Sequence, residues 1–88
     1  MTMLLSAQVK AAILRILLAA DGEPVPSTTL REGLRLSFPH VAFAESDLNS
    51  RITECETEHW IAGTSDSLLG MLWGLTTKGT LRAQALRT

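Results

Sequence analysis

The chain has 88 residues, of which 45% are hydrophobic and 19% are charged, and its formal net charge at pH 7 is −1. This length suits one domain with one core, and this composition is that of a globular protein and excludes a disordered tail. The near-neutral charge excludes a general electrostatic attraction to nucleic acid, so any nucleic-acid surface would have to be local.

Cysteine content and hydropathy indicate the compartment. Cys55 is the only cysteine, so no internal disulfide can form, and a small protein without a disulfide framework is typical of a reducing compartment. Lys10 and Arg15 interrupt the apolar N-terminal stretch, which is unlike the uncharged segment of a secretory signal. No run reaches the roughly 18 to 20 apolar residues of a membrane span. We therefore expect a cytoplasmic protein without a membrane segment.

The first predicted element is a core helix. Ser6 is its expected N-cap, and Asp21 with Gly22 supplies its end. Apolar side chains between them recur at helical spacing: Val9, Ala12, Ile13, Ile16, Leu17 and Ala20. Because Pro24 and Pro26 lock the backbone, residues 22–26 are predicted to be an extended connector or a very short edge strand.

A short second helix follows, capped by Ser27 or Thr28 and ending before Phe38. Its positions divide into an inward pair, Leu30 and Leu34, and an outward pair, Arg31 and Arg35. A third helix is predicted to begin near Ala44. One stripe of that helix carries Leu48, Ile52, Cys55 and His59, and the opposite face carries Ser46, Ser50 and Thr53.

A hairpin and a last helix complete the chain. Residues 63–67 are rich in turn formers, so the hairpin turn is expected there. The strand over residues 68–75 alternates, and most of one face is expected to be core: Leu69, Met71, Trp73 and Leu75. Leu72 lies on the other face between two glycines. It is expected either to be exposed and contact a partner, or to pack against the first helix, with the glycines allowing a close approach. Thr76 is the expected cap of a last helix through Leu86.

The predicted order is helix, connector, helix, helix, hairpin and helix. Few small folds bury all of these faces, and a helix-turn-helix followed by a wing is one that does. We therefore expect a mainly α fold with a small β-hairpin, as a single winged-helix domain over residues 1–88 with a three-helix core, a wing and a short C-terminal helix.

Two segments carry a family resemblance. Residues 48–61, LNSRITECETEHWI, resemble the recognition helix and first wing strand of MarR-like and PadR-like winged-helix transcription regulators. Residues 73–79, WGLTTKG, are similar to the end of the second wing strand and the following Leu-Thr-x-x-Gly element of that family. The resemblance implies a cytoplasmic DNA-binding regulator in which Thr76 caps a helix and Gly79 permits close packing.

DNA binding by such a regulator would use two groups of side chains. Polar residues of the third helix could reach base edges: Ser46, Asn49, Ser50, Arg51 and Thr53. Basic residues elsewhere could contact phosphates: Arg31, Arg35, Lys78 and Arg82. The prediction is a domain that binds double-stranded DNA and regulates transcription.

The charge pattern also supports an alternative function. Residues 45–58 contain five acids and one base, a local charge of −4, and the expected wing tip carries Asp66 and no base. A winged-helix module that binds a protein and not DNA would account for both features.

The sequence also gives expectations for metal binding, catalysis and oligomeric state. Cys55 and His59 are four residues apart, but a structural zinc site needs four ligands, so we expect no metal and no cofactor. No phosphate-binding loop or nucleophile motif is present, and we expect no enzymatic activity. The apolar residues 1–5 are expected to support a homodimer, or else to fray.

Overall fold

The computed structural model describes the backbone of residues 2–87 and the side chains of residues 6–86. Within that part of the chain, four helices and three strands follow one another in this order: α1 Thr2–Ala19, β1 Val25–Pro26, α2 Ser27–Ser37, α3 Glu45–Thr57, β2 Ile61–Asp66, β3 Gly70–Leu75 and α4 Thr77–Arg87. The predicted class, mainly α with a small β-hairpin, is confirmed. Among the described residues, none of the helices is long and apolar enough to cross a bilayer.

Helix α1 is the centre of the core. It buries one ridge of side chains, namely Val9, Ala12, Ile13, Leu14 and Leu17, and it packs against α2, α3 and α4. The predicted N-cap is wrong, because the helix already begins at Thr2 and Ser6 lies inside it. Methionine and leucine before Ser6 are good helix formers, so nothing stops the helix from extending there. The predicted end is confirmed: Asp21 and Gly22 have φ values of 54° and 87°.

Helix α2 begins directly after β1. Pro26 is its N-cap and makes no side-chain capping bond, so the predicted cap at Ser27 or Thr28 is wrong. The Ser27 hydroxyl is used elsewhere: it accepts a hydrogen bond from the Trp73 indole at 2.8 Å and donates to the Met71 carbonyl at 3.4 Å. A long-range indole partner has therefore replaced the local cap. Leu30 and Leu34 are fully buried as predicted, and the helix ends at Ser37.

The sheet is antiparallel with strand order β1-β3-β2. Val25 pairs with Trp73, which confirms the short edge strand expected within residues 22–26. The predicted turn at residues 63–67 is wrong, because β2 pairs with β3 out to Asp66 and the turn is residues 67–69. The Asp66 carboxylate accepts the backbone N–H groups of Leu68 at 2.8 Å and Leu69 at 2.9 Å, which closes the turn.

Burial along β3 also differs from the expectation. Of the four residues predicted on the core face, Trp73 is buried and Leu75 is half-buried, whereas Leu69 is 59% exposed and Met71 is 37% exposed. Leu72, the candidate for an exposed contact, is half-buried. The reason is that the end of the hairpin nearest the turn is solvent-exposed on both faces, so alternation along the strand does not mark core there.

Helix α4 is joined to the end of α3 by a compact set of contacts. Thr76 is its N-cap, as predicted, and accepts the N–H of Gly79 at 3.0 Å. The Thr76 N–H donates to the Trp60 carbonyl at 3.0 Å, and its hydroxyl donates to the His59 carbonyl. A Cβ on Gly79 would lie 1.8 Å from the Trp60 carbonyl oxygen, so this close approach requires glycine, as predicted.

We predict that Gly79→Ala destabilises the chain by at least about 3 kcal/mol, because the added methyl must push the backbone of residue 60 away. The measurement is the free energy of unfolding in urea. Gly74→Ala is the matched control, since a Cβ there meets nothing within 4 Å. A Gly79→Ala variant as stable as the Gly74→Ala control would contradict this account of the joint.

Candidate nucleic-acid interface

Helix α3 has a buried ridge and an outward ridge. Leu48, Ile52 and Cys55 are buried, and the residues predicted on the opposite face are all exposed: Ser46, Ser50 and Thr53. Thr57 was missed by sequence reasoning although it continues the same stripe at a spacing of four, and it too is exposed. We call these four residues the hydroxyl ridge. It carries no charge, because the acids of α3 lie on its flanks.

His59 does not continue the buried stripe, so that part of the prediction is wrong. Helix α3 ends at Thr57, Glu58 is its C-cap, and His59 is exposed with a φ of 63°. The His59 N–H donates to the Glu56 carbonyl at 2.9 Å, which turns the chain out of the helix towards β2. Helical spacing no longer predicts which way a side chain points once the backbone has left the helical conformation.

Two predicted site residues, Arg31 and Asn49, are brought together between α2 and α3. Arg31 was expected outside, but its side chain is only 18% exposed and its Nε lies 3.3 Å from a Glu45 carboxylate oxygen. Its Nη1 also donates to the Asn49 side-chain oxygen at 3.4 Å. Both residues therefore hold α2 against the first turn of α3, and the Arg31 charge is largely offset by Glu45.

Arg51 is engaged in a similar way. Its Nη2 lies 2.7 Å from a Glu54 carboxylate oxygen, and Lys10 of α1 approaches the other oxygen of Glu54 at 3.8 Å. The Lys10 contact joins α1 to the flank of α3, whereas the Arg51–Glu54 pair lies within α3. Arg51 is consequently a positioning residue at the base of the hydroxyl ridge, with its charge directed at Glu54.

The remaining predicted bases lie on α2 and α4. Arg35 is exposed on α2, one turn beyond Arg31. Lys78 is exposed in the first turn of α4, and the guanidinium of Arg82 lies 5.7 Å from the centre of the Trp60 ring.

The acids of α3 divide into two groups. Glu45 and Glu54 are in ion pairs with basic residues. Asp47, Glu56 and Glu58 are exposed, and no ion pair is recorded for them among the described side chains. The effective negative charge of α3 is therefore smaller than its sequence indicates, and much of it lies near the C-terminal end of the helix.

Cys55 belongs to the core of the domain. It is fully buried, and burial raises the pKa of its thiol to about 12. His59, which was considered with Cys55 as a possible zinc ligand, lies beyond the end of α3. Within the described part of the chain, there is no group of three or more histidine, cysteine or acidic residues placed to hold a metal ion.

No protein-family model, curated protein or solved structure matches the chain. The candidate interface is therefore defined by its own geometry: an uncharged hydroxyl ridge on α3, paired charges beside it and exposed bases on α2 and α4.

We predict that Cys55 reacts with a disulfide reagent at pH 8 about a thousandfold more slowly in the native chain than in urea, because only the thiolate reacts and its population is suppressed in the core. Release of the reagent's chromophore measures the rate. Equal rates in the two conditions would mean that Cys55 is accessible in the native fold.

Proposed function

We propose that the chain is a non-catalytic winged-helix domain that binds double-stranded DNA, like the transcription regulators that residues 48–61 and 73–79 resemble. The order α1-β1-α2-α3-β2-β3-α4 supports this proposal, as does the strand order β1-β3-β2. In a helix-turn-helix with a wing, the second helix of the pair enters the major groove and a hairpin follows it. Helix α3 would then be the recognition helix and β2–β3 the wing.

The hydroxyl ridge is the observation that carries the proposal. Its members Ser46, Ser50, Thr53 and Thr57 extend over about three turns of α3, or roughly 16 Å at 1.5 Å per residue. Serine and threonine hydroxyls donate and accept hydrogen bonds, so Ser46, Ser50 and Thr53 can contact phosphates and base edges. The Thr57 hydroxyl already donates to the Thr53 carbonyl at 3.0 Å and is left as an acceptor. Because no carboxylate lies on the ridge itself, its outermost line can approach a groove without placing an acid against the phosphates.

The positive charge available to such an interface is small. It comes from Arg35 on α2 and from Lys78 and Arg82 on α4, all of which are exposed. A few phosphate contacts give a shallow dependence of affinity on salt, since the slope follows the number of phosphates neutralised. We therefore expect modest affinity that is detectable mainly at low ionic strength.

We predict that Ser50→Glu weakens duplex binding at least tenfold, because it places a carboxylate at the centre of the ridge. Gln8→Glu is the matched control: it adds the same charge at an exposed position on α1 and should change affinity less than twofold. A gel-shift titration over a salt series measures both. Equal duplex affinities for the two variants would show that α3 is not part of the DNA interface.

A protein partner with a basic surface is the second candidate. It is favoured by the exposed acids Asp47, Glu56 and Glu58 and by the hairpin, whose residues 61–75 contain Asp66 and no lysine or arginine. Winged-helix proteins that bind DNA through the wing need a base there to reach phosphate. The two candidate functions therefore assign opposite effects to the acids at the end of α3.

We predict that Glu56→Gln/Glu58→Gln tightens duplex binding severalfold, because two charges that repel phosphate are removed. Folding should be preserved, since losing negative charge at a helix C-terminus is favourable. Asp21→Asn/Glu23→Gln is the control, with the same charge change in the α1–β1 connector. If duplex binding is absent for the wild-type chain and for both variants at low salt, the DNA proposal is contradicted. The protein-binding candidate is supported only if a basic partner binds the α3 variant more weakly than the wild-type chain.

A further inference from the structure

The two edges of the sheet are unequal. Strand β1 forms one edge, but it has two residues and one of them is Pro26, which has no N–H to donate. Strand β2 forms the other edge over six residues, and residues 62–65 are exposed. It contains no proline, lysine or arginine. Natural edge strands are usually protected by such residues, and a long edge without them is a template for another strand.

The hairpin turn beyond this edge is apolar. Leu68 is 92% exposed and Leu69 is 59% exposed at the tip. The same molecule has an open groove of about 260 Å³ beside Trp60, which immediately precedes β2. Its apolar walls come from α1, α4 and the indole: Ala7, Ala11, Leu14, Leu86 and Trp60. An exposed apolar tip and an apolar groove therefore lie near the two ends of one free strand.

We propose that the β2 edge pairs antiparallel with the β2 edge of a second copy of this chain, forming a two-fold symmetric dimer with a continuous sheet. A two-fold axis perpendicular to an antiparallel pair places one residue opposite its own copy, here Gly63 near the middle of the strand. In this register Asp66 lies opposite Trp60 of the second copy, beside the end where Arg82 lies over the Trp60 ring. The turn 67–69 continues towards the Trp60 groove of that copy, so each contact is made twice.

The charges along β2 favour a second copy of the chain as the partner of this edge. Asp66 is the only charged residue of the hairpin, and it lies at the strand end, so the antiparallel arrangement keeps the two Asp66 carboxylates apart. Each is brought instead to the end of the second copy where Arg82 lies over Trp60. An arbitrary extended peptide would satisfy the backbone groups of β2 but would not supply an apolar tip and an acid at these two positions. The edge is thus complementary to itself.

The dimer is tested with lysines at Ala62 and Thr64, two exposed positions on the same face of β2. With Gly63 on the axis, position 62 lies opposite position 64 of the second copy, so Ala62→Lys/Thr64→Lys brings like charges opposite each other twice across the axis. The dimer dissociation constant, measured by sedimentation equilibrium, should rise at least tenfold. Gln8→Lys/Ala19→Lys adds the same charge at exposed positions of α1 and should change it less than twofold. Circular dichroism checks that all variants are folded.

Two further measurements concern the same contacts. Leu68→Ser should raise the dissociation constant about tenfold, because it removes the tip side chain from the groove and leaves the strand unchanged. In the wild-type chain, hydrogen exchange of amides in residues 61–66 should slow as concentration rises. A chain that stays monomeric at all concentrations would overturn the proposal. So would a dimer that the β2 lysines do not weaken, because its interface would then lie elsewhere, as at residues 1–5.

Discussion

The contact on which the rest of the structure depends is the approach of Gly79 to the Trp60 carbonyl. That carbonyl accepts the Thr76 N–H, and the Thr76 hydroxyl in turn accepts the Gly79 N–H and donates to the His59 carbonyl. Four elements meet there: the end of α3, the start of β2, the end of β3 and the first turn of α4. This joint fixes the direction of the hairpin relative to α3. It also directs α4 back across the domain, where α4 packs against α1.

Features that depend on near neighbours in the chain were predictable. Leu48, Ile52 and Cys55 share a helical face whatever surrounds them, and the Thr76 cap is three residues from the N–H it accepts. The hairpin turn was misplaced because five turn formers at residues 63–67 outweighed a smaller signal, the Asp66 carboxylate closing the turn and Gly70 providing a φ of 78°. The Ser27 cap failed because the Trp73 indole, far along the chain, uses that hydroxyl.

The candidate site was predictable as a face of α3 but not as an electrostatic surface. Ser46, Ser50 and Thr53 follow from periodicity alone. The pairing of Arg31 with Glu45, and of Lys10 with Glu54, depends on how α1 and α2 dock on α3, and no local pattern contains it. These pairs have two opposite effects on DNA binding: they neutralise two acids of α3, and they engage Arg31, one of the bases expected to contact DNA.

The two proposed surfaces are compatible because they use different sides of the domain. The hydroxyl ridge lies opposite the buried side of α3, whereas the proposed dimer uses the outer edge of β2 and the groove beside Trp60. A two-fold dimer would present two copies of α3 related by that axis, as dimeric helix-turn-helix proteins do on palindromic half-sites. Joining two weak sites raises the apparent affinity without new contacts, provided that both can be engaged at once. A domain with few phosphate-binding bases therefore gains more from such a dimer than a strongly basic one would.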